Sequence, residues 1–293
     1  DASWGFLQEY LRGGHSDFYT WAEEAAHHLV DVDTCHHTGP GTRVGMQYSH
    51  CVGHVGGYYP HGFREQAIFG GSWSPSHTWV EGLFLYYLLS GDTRVLEGAE
   101  KTCELLTGEI LNHYDFGNCR TSGWHLIHLS AAYRATGREN YLNSARIVAD
   151  RVLERQRSSG GWDRLMVPGH CHCLPPRHRG NAGFMVGILM TGLQRYYEAA
   201  EDSRIPAALV GAAEYCIDTM WEPAFKAFRY TSCPRSDVVV GADMRILKGI
   251  AFALGHSGRR RFEQVLKEGL ESALGGSAPR AGRGVGKAIC SRM

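Results

Sequence analysis

Residues 74 to 106 read SPSHTWVEGLFLYYLLSGDTRVLEGAEKTCELL, and the apolar pattern changes character at Gly91-Asp92. Before that point bulky apolar residues occupy nearly every side of the expected helix, so it must be covered on most sides. After it, Val95, Leu96, Ala99, Cys103 and Leu106 recur at helical spacing, with Arg94, Glu97, Glu100 and Lys101 on the other face. The pattern predicts an inner helix followed at once by an outer one. The first is expected to start after Ser74-Pro75-Ser76, where a hydroxyl caps free donors and proline fits the first turn. Gly91 is the expected left-handed stop, and Asp92-Thr93 the next cap. On this reading His77 and Glu81, four apart, share one helical face.

The same grammar repeats. RTSGWHLIHLSAAYRATGRENYLNSARIVADRVLERQ (120–156) starts at Ser-Gly-aromatic and breaks at Thr136-Gly137. Residues 181–221 break at Glu201-Asp202-Ser203, and residues 241–274 at Gly255-His256-Ser257-Gly258. Breaks at 91, 137, 202 and 257 are 46, 65 and 55 residues apart, and Gly13-Gly14 marks a worn N-terminal copy. Helical hairpins at such a period form a solenoid or a closed ring. Alternation of all-round apolar with amphipathic helices favours the ring, because an open superhelix exposes one face of every helix. The fold class expected is all-α, an (α/α) toroid of the six-hairpin type over residues 1–274. Five hairpins are legible, so the toroid is expected to be incomplete and part of a larger protein.

Composition changes this picture little. The chain has 293 residues, 43% of them hydrophobic, with 30 basic and 30 acidic residues. A balanced charge gives no reason to expect nucleic acid or an anionic membrane as partner. No apolar run reaches transmembrane length, and no signal peptide is visible. Nine cysteines without framework spacing fit a reducing compartment, which leans towards the cytoplasm. The Gly-, Ala- and Arg-rich residues 275–293 lack any apolar period and are expected to be disordered.

Sixteen histidines stand out. Residues 32–74 form a predicted connection of about forty residues, a length more often functional than not. It carries His36, His37, His50, His54 and His61 beside Tyr48, Tyr58 and Tyr59. Two further irregular stretches, 157–180 and 222–240, also precede inner helices. In a toroid such connections emerge at one rim, together with the first turns of the inner helices. Those turns supply His77, Trp79, Glu81, Arg120, Trp124, His125, His128, Asn181, Asp243 and Arg245. From the rim argument, His50, His54, His77, Glu81, Tyr58 and His125 are the catalytic candidates. Trp79, Arg120, Trp124, Trp162 and His61 are the candidates for holding a sugar, since aromatic rings stack on sugar faces and Arg meets carboxylates. Each has a plainer alternative: a loop histidine is commonly a surface hydrogen-bonding group, and a tryptophan is often a core wedge. The run HCHC at 170–173 resembles a metal cluster but has no CxxC or HxxxH partner, so no metal is expected from it. No GK[ST] follows the glycines near residue 56, and no GxSxG elbow is present.

The segments DVDTCHH, GGSWSPSHTWVEGLFLYYLLSGD and TSGWHLIHLSAAYRATG resemble the central α/α toroid of rhamnogalacturonan exolyase-type (YetA-like) proteins, over roughly residues 15 to 255. The resemblance implies flanking β-rich domains and action on a pectin-like polysaccharide substrate. β-Elimination needs a neutralised uronate carboxylate, a base for the C5 proton and an acid for the leaving oxygen. Histidines outnumber paired carboxylates at the expected rim, which favours elimination with no obligatory cofactor, although calcium or another divalent cation could neutralise the carboxylate. Hydrolysis is the alternative and needs two opposed carboxyl groups, from among Asp33, Glu65, Glu81, Asp163 and Asp243. A non-catalytic sugar-binding or scaffold role is the other alternative.

Overall fold

The computed structural model describes residues 1–40, 42–48, 74–236 and 239–275. Ten α-helices occupy most of them: α1 (Ala2–Gly13), α2 (Ser16–Asp31), α3 (Glu81–Ser90), α4 (Thr93–Thr107), α5 (Cys119–Thr136), α6 (Glu139–Arg155), α7 (Gly183–Ala200), α8 (Arg204–Met220), α9 (Met244–Ser257) and α10 (Arg260–Leu274). Three 3-10 turns and two antiparallel ribbons complete the described elements. In one, β1 (Arg164–Leu165) pairs Arg164 with Gly180 of β2 (Arg179–Gly180). In the other, β3 (Trp221–Glu222) pairs Trp221 with Phe228 of β4 (Ala227–Phe228). The chain groups into two compact units, Asp1–Tyr114 with Ile127–Arg146, and Asp115–Leu126 with Ile147–Met293. No helix among the described residues is long and apolar enough to cross a membrane.

The helical breaks fall where the apolar pattern changes. Gly14, Gly91, Gly137 and Gly258 have φ of 72°, 76°, 69° and 64°. In this left-handed region a side chain costs energy, so glycine ends the helix most cheaply. Each cap N–H donates back to a carbonyl four residues earlier, as Gly91 does to Tyr87 at 2.7 Å. The break after α7 differs, because Glu201 itself adopts φ 51°. After Gly91 the next helix, α4, is capped by an aspartate. Asp92 Oδ1 accepts from Arg94 N at 2.9 Å and Val95 N at 3.3 Å, which satisfies donors that the first turn cannot.

In the first unit, α4 buries Val95, Ala99, Cys103 and Leu106 completely, the face that the pattern predicts. Covering of α3 is less complete than expected: Leu83, Phe84 and Tyr86 are buried, but Leu88 and Leu89 at its end are exposed. The start of α3 also differs from the sequence reading. Pro75–His77 is a separate 3-10 turn, Thr78 is extended, and the helix begins only at Glu81. The reason is a long-range clamp. Gln47 Oε1 accepts from Trp79 N at 2.7 Å while its Nε2 donates to Trp79 O at 2.9 Å, holding this stretch as a neighbouring strand would. His77 and Glu81 therefore do not share a helical face.

The second unit is organised around α7, whose Met185, Val186, Ile188, Leu189, Met190 and Leu193 are buried. The start of α5 presses directly on it. A Cβ at Gly123 would lie 2.6 Å from the Ile188 carbonyl, and one at Gly192 would lie 2.4 Å from Gly123 O. Only hydrogen fits between these backbones, so the start of α5 is held against α7.

The reversals can be tested singly, because nothing lies within 4 Å of a Cβ added at Gly91. Gly91→Ala should cost about 1–2 kcal/mol from conformation alone. Glu201→Gly should gain up to about 1 kcal/mol by relieving the same strain. Chemical denaturation midpoints measure both, and an unchanged midpoint for Gly91→Ala would show that the left-handed reversal imposes no constraint.

Candidate functional site

The second unit gathers charged and aromatic side chains from three helix starts and the two long connections. The 222–240 connection is stitched to the start of α7. Gly183 N donates to Tyr230 O at 2.9 Å, Asn181 N donates to Ser232 Oγ at 3.2 Å, and Ala182 bridges Thr231. Asn181 Nδ2 donates to Trp162 O at 2.5 Å, which ties in the other connection. Tyr230 is thereby laid over Phe184, in the first turn of α7, with ring centroids 6.0 Å apart and planes within 18°. His170 stands edge-on to both, 5.6 Å from Tyr230 and 6.4 Å from Phe184. From the start of α9, the Arg245 guanidinium lies 5.7 Å over the Phe184 ring, a cation on a negative aromatic face.

Arg245 is itself fixed. Asp243 accepts from Arg245 N at 3.0 Å as helix cap, while its two oxygens hold the guanidinium fork at 3.1 Å each. That bidentate grip leaves only the outward face of the guanidinium for a ligand. Arg120, in the first turn of α5, lies within electrostatic reach of both Arg245 and Tyr230. Burial, and then the like charge of Arg245, push the Arg120 guanidinium below its ordinary range. Burial raises the Tyr230 phenol, an effect that Arg120 partly offsets, so the phenol keeps its proton near neutrality. Two guanidinium groups near one another, a protonated phenol, an imidazole and an aromatic platform make a place that favours an anion with a flat apolar side.

The residues expected from sequence are distributed as follows. Arg120 stands in this cluster, and Trp124, one helical turn on, lies on the same face of α5 and is half-buried. His125 is fully buried. One residue after Trp124 is about 100° round the helix, which turns its ring inward, away from the face that Arg120 and Trp124 present. Trp162 is corrected as well: it has no exposed surface, and its indole Nε1 donates to Val152 O at 2.9 Å. A tryptophan so enclosed and satisfied is a core wedge, not a stacking platform. His77, Trp79 and Glu81 belong to the first unit, where His128, buried, has Nε2 3.2 Å from Pro75 O. His50, His54, Tyr58 and His61 lie outside the described residues. Phe184 and Tyr230 were not singled out from sequence, and His170 was noted only as part of the HCHC run. Phe184 had a signal, since Gly183-Phe184 repeats the Gly123-Trp124 start. Tyr230 and His170 reach the site only through folded loops.

Carboxylates are differently engaged. Asp163 faces Arg157 Nε at 3.4 Å, Asp33 faces His28 Nδ1 at 3.2 Å, and both oxygens of Asp243 are spent on Arg245. Glu65 lies outside the described residues.

No protein-family model matches the chain, and no curated protein matches its sequence. Solved structures do match. A polysaccharide lyase superposes with TM-score 0.67 at 10% identity, covering 92% of this chain and 74% of its own. A glycosyl hydrolase of family 88 from Bacteroides vulgatus gives TM-score 0.67 at 12% identity, covering 91% and 74%. Cellobiose 2-epimerase from Bacillus thermoamylovorans B4167 gives 0.64 at 10% identity, covering 92% and 73%. These likenesses establish the fold as the α/α toroid of helical hairpins that the repeat predicts.

The structural role of Trp162 has a direct test. Trp162→Phe removes the indole donor and strands the Val152 carbonyl, which should cost roughly 1–3 kcal/mol. Affinity of the folded variant for an acidic oligosaccharide should equal that of the parent, as calorimetry would show. A variant of unchanged stability that lost sugar binding would return Trp162 to the site.

Proposed function

We propose that the chain is a carbohydrate-active enzyme that cleaves a uronate-containing polysaccharide by β-elimination, of the rhamnogalacturonan exolyase (YetA-like) type. The observation that carries the reading is the pair of guanidinium groups, Arg120 and Arg245, set beside the Tyr230–Phe184 stack and His170. Toroid neighbours named as a polysaccharide lyase, a glycosyl hydrolase of family 88 and an epimerase support carbohydrate as the substrate class.

The chemistry follows from these groups. A uronate carboxylate placed between Arg120 and Arg245 loses much of its charge to the two cations, and its C5–H becomes acidic. The Arg245 grip on Asp243 pre-orients that cation, so little ordering cost remains when the sugar arrives. The flat face of the ring lies on Trp124 or on the outer face of Tyr230. His170 accepts the C5 proton, the freed electron pair forms the C4–C5 double bond, and the C4–O bond breaks. Tyr230, kept protonated by burial, gives its proton to the departing oxygen. Solvent then takes the proton from His170 and returns one to Tyr230, which resets both groups. Hydrolysis is less well served, because Asp243 is held by an arginine and cannot act as a free acid.

Incubation with rhamnogalacturonan and other uronate polysaccharides tests this. The account expects new reducing ends together with the ultraviolet absorbance of an unsaturated uronate. Tyr230→Phe should lower kcat by about 10²–10⁴-fold with a smaller change in KM. Arg120→Ala should weaken the substrate and slow turnover, with partial retention in Arg120→Lys, which keeps the charge and loses the fork. Reducing ends without the chromophore would replace elimination by hydrolysis, and silence in both assays would leave a sugar-binding module.

A further inference from the structure

Seven described cysteines are free and buried, but three of them differ from the rest. Cys171, Cys173 and Cys233 bring their sulfurs within 4.8 Å of one another, and Cys173 Sγ is 3.9 Å from Cys233 Sγ. The trio closes with Met166 into one small buried cluster. Its members come from two separate connections, residues 157–180 and 222–240, both in the second unit. Cys171 lies in a β-bridge with Pro168, and two residues on, Cys173 projects to the same side. On the facing connection, Cys233 N donates to Thr231 Oγ1 at 3.3 Å, and Ser236 N donates to Cys233 O at 2.8 Å, which fixes the third thiol.

The geometry points to a zinc site: we infer that Cys171, Cys173 and Cys233 bind one Zn²⁺ as thiolates, with the fourth position left to a non-protein ligand. Tetrahedral zinc with Zn–S of about 2.3 Å sets its sulfurs about 3.8 Å apart, and the Cys173–Cys233 separation falls there. A disulfide needs about 2.05 Å, close to half of what is found. Simple hydrophobic filling predicts no convergence of three sulfurs, and the other buried cysteines show none: Cys103 and Cys216 rest among ordinary core side chains, their thiols pushed up by burial. Three soft donors select Zn²⁺ or Cu⁺ and exclude magnesium or calcium. The ion would staple the two connections that present His170 and Tyr230, one residue before and three before a ligand.

Zinc content is read without reference to activity, so this inference and the proposed lyase reaction fail independently. The full chain is produced with zinc in the medium, desalted and analysed by plasma mass spectrometry. About one zinc per chain is expected, retained in Cys216→Ser and lost in Cys173→Ser and in Cys233→Ser. Since a variant could misfold, the parent protein supplies a second readout. A strong chelator should lower its Tm, zinc should restore it, and Co²⁺ added to the stripped protein should give a thiolate-to-cobalt absorbance band. Zinc well below one per chain with no cobalt band would overturn the site, and so would a Cys173–Cys233 disulfide in unreduced peptide maps. Copper in place of zinc at the same stoichiometry would overturn the choice of ion.

Discussion

Each hairpin turns on one residue held in the left-handed backbone region, and most of the structure depends on that reversal. A helix that stops at φ near +70° can restart within two or three residues, and at α4 the side chain of Asp92 caps the restart. The reversal end of every hairpin is therefore short. Length accumulates at the opposite ends, where α6 runs into α7 and α8 into α9. In the second unit both of these long connections fold back over the starts of α7 and α9, which is why a cluster of functional groups assembles there. Close backbone contact between Gly123 and Gly192 brings the start of α5 to the same wall.

Features that one residue decides were legible in the sequence. Gly14, Gly91, Gly137 and Gly258 announce their own conformation, and the buried face of α4 follows from periodicity. The start of α3 was not legible, because Gln47 supplies the backbone pairing from outside the segment. Arg120, Trp124, Asp243 and Arg245 could be named from the sequence, since helix starts can be counted along the chain. The burial of His125 and Trp162 was not legible, because it depends on angle around a helix and on folded loops. HCHC had no visible partner because Cys233 lies 60 residues beyond Cys173 and carries no local motif. Tertiary folding supplied that partner.

Electrostatics link these observations. Placing two guanidinium groups close together in a partly buried setting is unfavourable on its own. Asp243 absorbs the cost for Arg245 through a fork that also caps α9, so one carboxylate serves both fold and site. Arg120 remains under the influence of burial and of Arg245, and the opposite charge of an anionic ligand would offset both. The aromatic stack beneath gives such a ligand an apolar floor. A charged sugar satisfies both requirements at once, where a neutral sugar would use only the floor and a small anion only the charge.

Preference for the carboxylate is thus the central claim, and titration calorimetry reads it directly. The full chain would be titrated with an unsaturated or intact uronate oligosaccharide, and with the same oligosaccharide after its carboxyl groups are reduced to alcohols. The account predicts measurable binding of the acid that weakens steeply with salt, and a loss of at least about tenfold on reduction, a difference that disappears in Arg120→Gln. Equal affinity for the acidic and reduced sugars would contradict it.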